Sequence, residues 1–190
     1  SGRLIDRTLR PLFNQKMRRD VQIVVTVLSY DDENDPDFVS LISASTAILI
    51  SEVPWDGPVA GLRLAKTKNG ELAINPANST LAGNQISFDA FVSGPEDKIN
   101  MVELSGDDAI EDELITAFGK AQTEINKLID FQKEIQKKIS RPKMEIFKKE
   151  ISPDTKNKAI NFLRGKLEDA IYIGAKGERN ENIDLLKKDL

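Results

Sequence analysis

Two long stretches near the start of the chain show regular patterns of apolar positions. Residues 21–30, VQIVVTVLSY, are almost continuously apolar and β-branched, which predicts a strand buried on both faces. In residues 37–51, DFVSLISASTAILIS, apolar and small residues recur at helical spacing. Asp35 and Pro36 stand directly before this stretch and predict the helix start, with Asp35 as the N-cap. A buried strand followed by such a helix is typical of an α/β domain.

Two pairs of shorter apolar runs predict β-hairpins. VAGLRLAKT and ELAIN flank the tripeptide KNG, where Asn69-Gly70 suits a type I′ turn. QISFDAFVSG and KINMVELS flank a turn at residues 94–97. In this second hairpin we expect three core residues, Phe88, Met101 and Val102.

Apolar residues then recur every three or four positions, which predicts one long helix. The predicted stripe comprises Ile110, Leu114, Phe118, Ala121, Ile125, Leu128, Phe131 and Ile135. Asp107 or Asp108 can cap the start of this helix, and Pro142 ends it. Beyond it the chain shows no strand pattern and predicts helices interrupted near Ser152-Pro153 and between residues 174 and 177. We therefore place a boundary between an α/β domain at residues 1–140 and a helical segment at 141–190.

Composition narrows the possible chemistry. The 190 residues include no histidine and no cysteine, which excludes serine–histidine or cysteine–histidine catalysis and histidine or thiolate zinc sites within the chain. Acid–base chemistry would fall to carboxylates or lysines. The net charge is −4, so binding of nucleic acid would need a local basic patch.

The opening segment RLIDRTLRPLF supplies a basic patch. Arg3, Arg7 and Arg10 are spaced by four and three residues and share one helical stripe, opposite an apolar stripe. Two interpretations stay open from the residues alone: ion pairs with surface carboxylates, or contacts with the phosphates of a nucleic acid. We treat the three arginines as candidate RNA- or phosphate-binding residues.

Four blocks together resemble a known family. RLIDRTLRPLF, DPDFVSLISASTAILISEVPWDGPV, GELAINP and FVSGPEDKINMVEL occur in order and are similar to the first ribonuclease PH-like repeat of the polynucleotide phosphorylase family. The resemblance implies an α/β (α+β) fold of the ribosomal protein S5 domain 2-like class, a mixed sheet with packed helices followed by an all-α segment. It also implies that residues 1–140 are the first ribonuclease PH-like domain without its N-terminal strands. Residues 141–190 would then begin the helical linker domain.

The same resemblance implies an activity and partners. The family degrades RNA from the 3′ to the 5′ end by phosphorolysis, as a nucleotidyltransferase in mRNA degradation, with inorganic phosphate as co-substrate and Mg²⁺. It implies single-stranded RNA, a homotrimer, degradosome-type partners, a cytoplasmic location and no membrane. Arg3, Arg7 and Arg10 match the basic helix that faces RNA in the family.

The chain departs from a catalytic repeat at two places. DDENDPDF (31–38) stands where a phosphate-binding loop would lie, and its carboxylates would repel phosphate; we interpret it as an acidic N-cap cluster and solvated turn. Asp89 stands alone where catalytic repeats carry several aspartates, and one carboxylate is a poor Mg²⁺ site. We therefore expect no catalytic residue and no metal ligand in this segment, with Mg²⁺ bound elsewhere in the parent enzyme.

The segment's expected roles are RNA guide and trimer scaffold, and two alternatives remain. One is a subunit of a ribonuclease PH or exosome-type ring, against which the helical extension after Arg141 argues. The other is a non-enzymatic α/β interaction module that shares the topology alone.

Overall fold

The computed structural model describes residues 2–82, 85–146 and 151–190, which form two compact units. The first unit ends at Ile146. Its helices are α1 (Gly2–Leu9), α2 (Pro36–Ile50), α3 (Asn78–Ala82) and α4 (Glu111–Ile139), with a 3-10 turn at Arg10–Leu12. Its strands are β1 (Ala60–Thr67), β2 (Leu72–Ile74), β3 (Ile86–Gly94) and β4 (Met101–Gly106). None of the described helices is long and apolar enough to cross a membrane.

The four strands form one sheet in the order β2-β1-β3-β4. The combination of this sheet with packed helices confirms the predicted α+β class. All three strand pairings are antiparallel, so the sheet differs from the mixed sheet that we expected. The reason lies in the connections: both hairpins join neighbouring strands directly, and none of the described strands is reached by a parallel crossover.

The sheet carries helices on both faces. On one face, alternate residues of β1 and β3 pack against α4 in a core formed by Ala60, Leu62, Leu64, Phe88, Ala90, Val92, Ala117, Ala121, Ile125 and Ile129. On the other face, α1 and α2 pack in a second core with Leu4, Leu9, Leu41, Ala44, Ile48, Trp55, Val59, Phe91 and Met101. A Cβ at Gly61 would lie 2.9 Å from Leu41 Cδ2, so the missing side chain lets α2 lie close to the sheet.

Helix α2 begins as predicted. Asp35 is its N-cap and accepts the Asp37 N–H at 2.9 Å, and Pro36 is the first helical residue. At the other end, Lys143 Nζ donates to the carbonyl oxygens of Ile48 and Leu49 at 2.8 and 2.9 Å, and also to that of Ser51. Desolvation lowers the pKa of Lys143. Its cation satisfies carbonyls at the negative end of the helix dipole.

Both predicted hairpins are present, but the first turn differs in type. A type I′ turn needs positive φ at both central residues. Gly70 alone has positive φ in the Lys68–Gly70 loop, at 91°, and the Gly70 N–H donates to Thr67 O at 2.9 Å. The loop is therefore a turn over Thr67–Gly70 with glycine at the left-handed position of a three-residue hairpin connection.

The predicted strand at residues 21–30 is wrong for this structure. The segment forms no strand, and Val24 and Leu28 are 76% and 93% exposed. A strand needs a neighbouring strand to bond its backbone, and no backbone–backbone hydrogen bond joins residues 21–30 to the rest of the described chain. Its composition favours a strand, but the described sheet does not include it.

Helix α4 confirms the predicted long helix, with two corrections. Its N-cap residue is Ile110, because Asp107 instead pairs with Lys68 and Asp108 adopts a left-handed backbone with φ of 53°. Two members of the predicted stripe, Ile110 and Phe131, are 60% and 59% exposed, and Gln132 takes the buried position beyond Ile129. The buried stripe follows a spacing of four residues from Ala117 to Ile129, which turns Phe131 away from the sheet.

The three residues expected in the core of the second hairpin divide between interior and edge. Phe88 and Met101 are buried, as predicted. Val102 is 42% exposed, because β4 is an edge strand whose outer side has no neighbour among the described strands.

The second unit consists of three helices, α5 (Pro153–Leu163), α6 (Lys166–Ile171) and α7 (Lys176–Asp189). Ser152 caps α5 by accepting the Thr155 N–H at 3.2 Å. The predicted interruptions at Ser152-Pro153 and between residues 174 and 177 are confirmed. An additional break occurs at Gly165, whose φ is 81°.

Candidate nucleic-acid interface

Helix α1 has one buried and one basic side. Leu4, Thr8 and Leu9 are buried against the sheet and α2, whereas Arg3 and Arg7 are exposed. Because residues four apart on a helix lie above one another, the two guanidinium groups share one outward face. The local sequence pattern therefore presents two cations on a helix whose other side is fixed in the core.

Hydrogen bonds anchor α1 in addition to its apolar contacts. The hydroxyl groups of Thr8 and Ser93 lie 2.7 Å apart, which links α1 to β3. Asn100 Nδ2 donates to Thr8 O at 3.0 Å, and Trp55 Nε1 donates to Leu9 O at 3.2 Å. These bonds set the position of the helix relative to the sheet.

The three candidate arginines have different environments. Arg10 lies in the 3-10 turn and forms a bidentate ion pair with Asp6, with Nη2 at 2.7 Å from Oδ2 and Nε at 3.0 Å from Oδ1. Both partners are at least half exposed, so the pair contributes about 0–1 kcal/mol. Arg3 and Arg7 form no ion pair with any residue that the structure describes. The ion-pair interpretation therefore applies to Arg10, while Arg3 and Arg7 remain available to a ligand.

An open cleft of about 880 Å³ lies beside the basic helix. Asp6, Arg10 and Arg19 line it, together with apolar residues of the segment at 21–27 and the start of α2. The structure thus brings Arg10 and Arg19 to one cleft, whereas Arg3 and Arg7 are not among its lining residues.

The acidic loop before α2 is held by its own hydrogen bonds. Asp31 accepts the N–H groups of Glu33 and Asn34 at 3.0 and 2.8 Å and the Asn34 side-chain amide at 2.6 Å. The backbone N–H of Asn34, followed by its side-chain amide, lowers the pKa of Asp31. Glu33 accepts both the backbone N–H and the hydroxyl of Ser79. With Asp35 capping α2, these contacts support the interpretation of the loop as a turn and cap.

A polar cluster that the sequence analysis missed lies between this loop and the sheet. Arg63 on β1 forms a bidentate ion pair with Asp89 on β3, with Nη2–Oδ2 and Nε–Oδ1 distances of 2.6 and 2.8 Å. Asp35 Oδ2 and Asn78 Oδ1 each lie 3.4 Å from Arg63 Nη1. The hydrogen bonds to Asp89 raise the pKa of Arg63. The signal for this pair was a charged residue between apolar neighbours in each strand, Arg63 in GLRLA and Asp89 in FDAFV.

The geometry of Asp89 does not suit Mg²⁺. Both of its carboxylate oxygens accept hydrogen bonds from Arg63, and the guanidinium group occupies the position that a cation would take. In residues 2–82, 85–146 and 151–190, no three acidic side chains lie close enough together to hold a metal ion. We therefore derive no chemical step through a metal in this segment.

Comparison with known proteins relates the chain in sequence to RNA-processing enzymes. Residues 1–54 match the model of the 3′ exoribonuclease family, domain 1, which confirms the ribonuclease PH-like fold class. Three curated proteins named polyribonucleotide nucleotidyltransferase align over the whole chain. They come from Halothermothrix orenii (37% identical over 189 residues, 26% of that protein), Treponema denticola (36% over 189, 27%) and Staphylococcus carnosus (37% over 192, 27%). The chain thus spans about a quarter of the length of these relatives.

Among solved structures, the crystal structure of rice (Oryza sativa) Rrp46 resembles the chain with a TM-score of 0.48 and 10% sequence identity. The match covers 55% of this chain and 48% of that chain.

Proposed function

Since the whole chain is related in sequence to the polyribonucleotide nucleotidyltransferases, we propose that it acts as part of a phosphate-dependent 3′-to-5′ exoribonuclease. In that reaction, an oxygen of inorganic phosphate attacks the terminal phosphodiester of RNA. The bond to the 3′ oxygen of the preceding nucleotide breaks, and a nucleoside diphosphate leaves. The biological role that follows is mRNA degradation in the cytoplasm.

Within this enzyme, the segment guides RNA and does not perform the chemistry. The observation that carries this proposal is the exposure of Arg3 and Arg7 on an anchored helix, where neither forms an ion pair with the described residues. Phosphate contacts from arginine position a nucleic acid without reading its sequence, which suits an enzyme that degrades single-stranded RNA of any sequence. Arg10 contributes less, because Asp6 already neutralises it.

Catalysis and magnesium binding belong to other parts of the enzyme. The acidic loop is occupied with local hydrogen bonds, and Asp89 is occupied by Arg63, which supports the absence of a catalytic role for both. Inorganic phosphate remains the co-substrate of the whole enzyme, and we assign Mg²⁺, which would neutralise charge in the reaction, to a site outside this segment.

The segment also forms part of the enzyme's scaffold. We assign residues 1–140 to the first ribonuclease PH-like domain and residues 141–190 to the start of a helical linker domain. The intact protein forms a homotrimeric ring. This ring binds degradosome-type partners. Sequence similarity to the named relatives over both segments supports this assignment.

An activity assay tests the non-catalytic role. The chain and the full-length Halothermothrix orenii relative are each incubated with single-stranded RNA, Mg²⁺ and inorganic phosphate. We expect nucleoside diphosphates from the full-length enzyme and none from this chain. Phosphate-dependent release of diphosphates by the chain itself would contradict the assignment.

A binding assay tests the role of the arginines. Affinity for a fluorescent single-stranded RNA is measured across salt concentrations for the chain and for the Arg3→Gln/Arg7→Gln variant. The logarithm of the binding constant falls linearly with the logarithm of salt concentration, and each phosphate contact contributes roughly 0.7 to the steepness of that fall. We therefore expect the double variant to have a slope that is shallower by about 1.4. The matched control is Lys120→Gln/Lys138→Gln, which removes two exposed cations from α4 and should leave the slope unchanged. Equal slopes for all three proteins would show that Arg3 and Arg7 of α1 do not contact the RNA phosphates.

A further inference from the structure

In the turn between β1 and β2, Asn69 is followed by Gly70, and glycine causes less steric hindrance than any other residue. Asn69 and Gly70 are both exposed, and apart from the two neighbouring residues no atom of the described chain lies within 4 Å of the position that a Cβ on Gly70 would occupy. The Asn69 side chain makes no hydrogen bond within the described part of the chain. Its amide carbon is therefore open to attack by the Gly70 backbone nitrogen once that N–H releases its 2.9 Å hydrogen bond to Thr67 O.

From this geometry we propose that Asn69 is a site of spontaneous hydrolytic deamidation. The backbone nitrogen of Gly70 attacks Cγ of Asn69, a new C–N bond closes a five-membered succinimide, and the side-chain nitrogen leaves as ammonia. The proton of the attacking N–H passes to solvent. Water then opens the ring at either carbonyl, which yields aspartate or isoaspartate. The reaction consumes one water molecule in total and needs no oxidant or cofactor.

Other asparagines in the chain lack this combination. Asn69 is the only asparagine followed by glycine. Asn75 is followed by proline, which has no N–H to attack with, and its side-chain oxygen accepts the Arg63 N–H at 2.8 Å. The Asn78 amide donates to Tyr30 Oη and Asp32 O at 3.2 and 3.0 Å, which holds its side chain in place. Reaction should therefore concentrate at one turn.

Both products change the hairpin. Each adds a carboxylate next to Lys68, whose Nζ lies 2.7 Å from Asp107 Oδ2, so the new charge competes for that cation. Isoaspartate also adds one methylene to the backbone. This lengthens a turn closed by the Thr67 N–H to Glu71 O and Gly70 N–H to Thr67 O bonds, both 2.9 Å. Strand β2 pairs with β1 at only three positions, so we expect this change to weaken the pairing of β2 most.

Mass spectrometry after prolonged incubation at mildly alkaline pH tests the proposal. Trypsin releases the peptide from Asn69 to Lys98, which contains Asn75 and Asn78 as internal controls. We expect Asn69 to lose its amide and give separable aspartate and isoaspartate peptides, while Asn75 and Asn78 keep theirs. The Asn69→Gln variant should yield neither product, because a glutamine would have to close a larger ring. Amide loss at Asn78 as fast as at Asn69 would overturn the proposal, as would an unchanged Asn69.

A second measurement separates the effect of charge from the effect of the longer backbone. The Asn69→Asp variant has the charge alone, whereas the aged protein also contains isoaspartate. We expect faster hydrogen exchange of the Thr67 amide in the isoaspartate fraction than in Asn69→Asp. Equal exchange rates would contradict the predicted loosening of the hairpin.

Discussion

Gln132 is the buried polar side chain that joins α4 to the start of β1 and to α2. Its Nε2 donates to Val59 O at 2.9 Å, and its Oε1 accepts the Ser45 hydroxyl at 2.6 Å. Ser45 Oγ in turn accepts the Val59 N–H at 3.0 Å, so the three residues close a ring of hydrogen bonds. A polar residue at this helical position is buried because each of its polar atoms has a partner.

We predict that Gln132→Leu lowers the free energy of unfolding by about 1–3 kcal/mol, because Val59 O and the Ser45 hydroxyl lose their partner inside the protein. Urea unfolding followed by circular dichroism measures the change. Lys120→Gln on the exposed side of the same helix is the control, with an expected change within about 0.5 kcal/mol. A Gln132→Leu variant as stable as the original protein would show that the ring contributes nothing.

The lowered pKa of Asp31 predicts that its contribution to stability depends on pH. Its folded pKa lies below the ordinary value of 3.8, because the carboxylate accepts N–H groups of Asn34 and Glu33. A lowered carboxyl pKa means that the contribution to stability is complete above the unfolded pKa of about 4 and is lost as pH falls through the folded pKa. Acid titration by NMR should therefore show the amide signals of Glu33 and Asn34 shifting with a midpoint below about pH 4. The Asp31→Asn variant should lack this transition, and a higher midpoint would contradict the prediction.

At the scale of elements, the segment at residues 21–30 is the clearest departure from regular structure. It is rich in β-branched residues and exposes Val24, Val27 and Leu28, and its backbone groups have no backbone partners in the described chain. An apolar segment with unpaired backbone groups is a template for strand pairing with another chain. The exposed edge of β4 adds a second such surface.

We predict that Val24→Thr/Leu28→Lys reduces self-association of the chain, because it places a charge and a polar group on the unpaired segment. Light scattering against protein concentration measures the effect. Ile115→Lys is the control, since it replaces a similarly exposed apolar residue on a regular helix, where no backbone group is left to pair. If the control reduced association as much, general surface hydrophobicity would be the cause instead of strand pairing.

Local signals decided which elements could be predicted from sequence. The Asp35-Pro36 cap located the start of α2, and Ser152-Pro153 located the start of α5, because both act within one helical turn. The hairpin turn type was wrong because the left-handed backbone occurs at Gly70 alone. The strand at residues 21–30 was wrong for a different reason: strand formation depends on a partner far away in sequence, which composition does not reveal.

At the scale of the whole molecule, the described chain consists of two compact units. It spans about a quarter of the length of its relatives. The homotrimeric ring is proposed for the whole enzyme, of which this chain would be one part. We predict monomers or weak irregular association of the chain at low micromolar concentration, measured by light scattering coupled to size-exclusion chromatography. A stable trimer would show that this segment suffices for assembly.

The placement of the candidate arginines on α1 was predictable from the sequence, and their ion pairs were less so. The spacing of Arg3 and Arg7 placed them on one exposed helical face, as the structure has them. The pairing of Arg10 with Asp6 follows from a spacing of four residues, which was visible in the sequence beforehand. The pair formed by Arg63 and Asp89 depends on the register of β1 against β3, which the sequence pattern alone does not determine.

The bonds from Thr8 to Ser93 and from Asn100 to Thr8 have a consequence for the entropy of binding. They keep the backbone of α1 ordered before any ligand arrives. A phosphate that binds Arg3 or Arg7 then restricts side-chain rotamers at a cost of about 0.5–1.5 kcal/mol for each arginine, and it does not have to fold a helix. Segments that become ordered on binding lose roughly 2–5 kcal/mol of their interaction energy to that ordering. In the proposed role, the binding of RNA phosphates to α1 would therefore lose little interaction energy to ordering of the helix, so fewer contacts are needed for a given affinity.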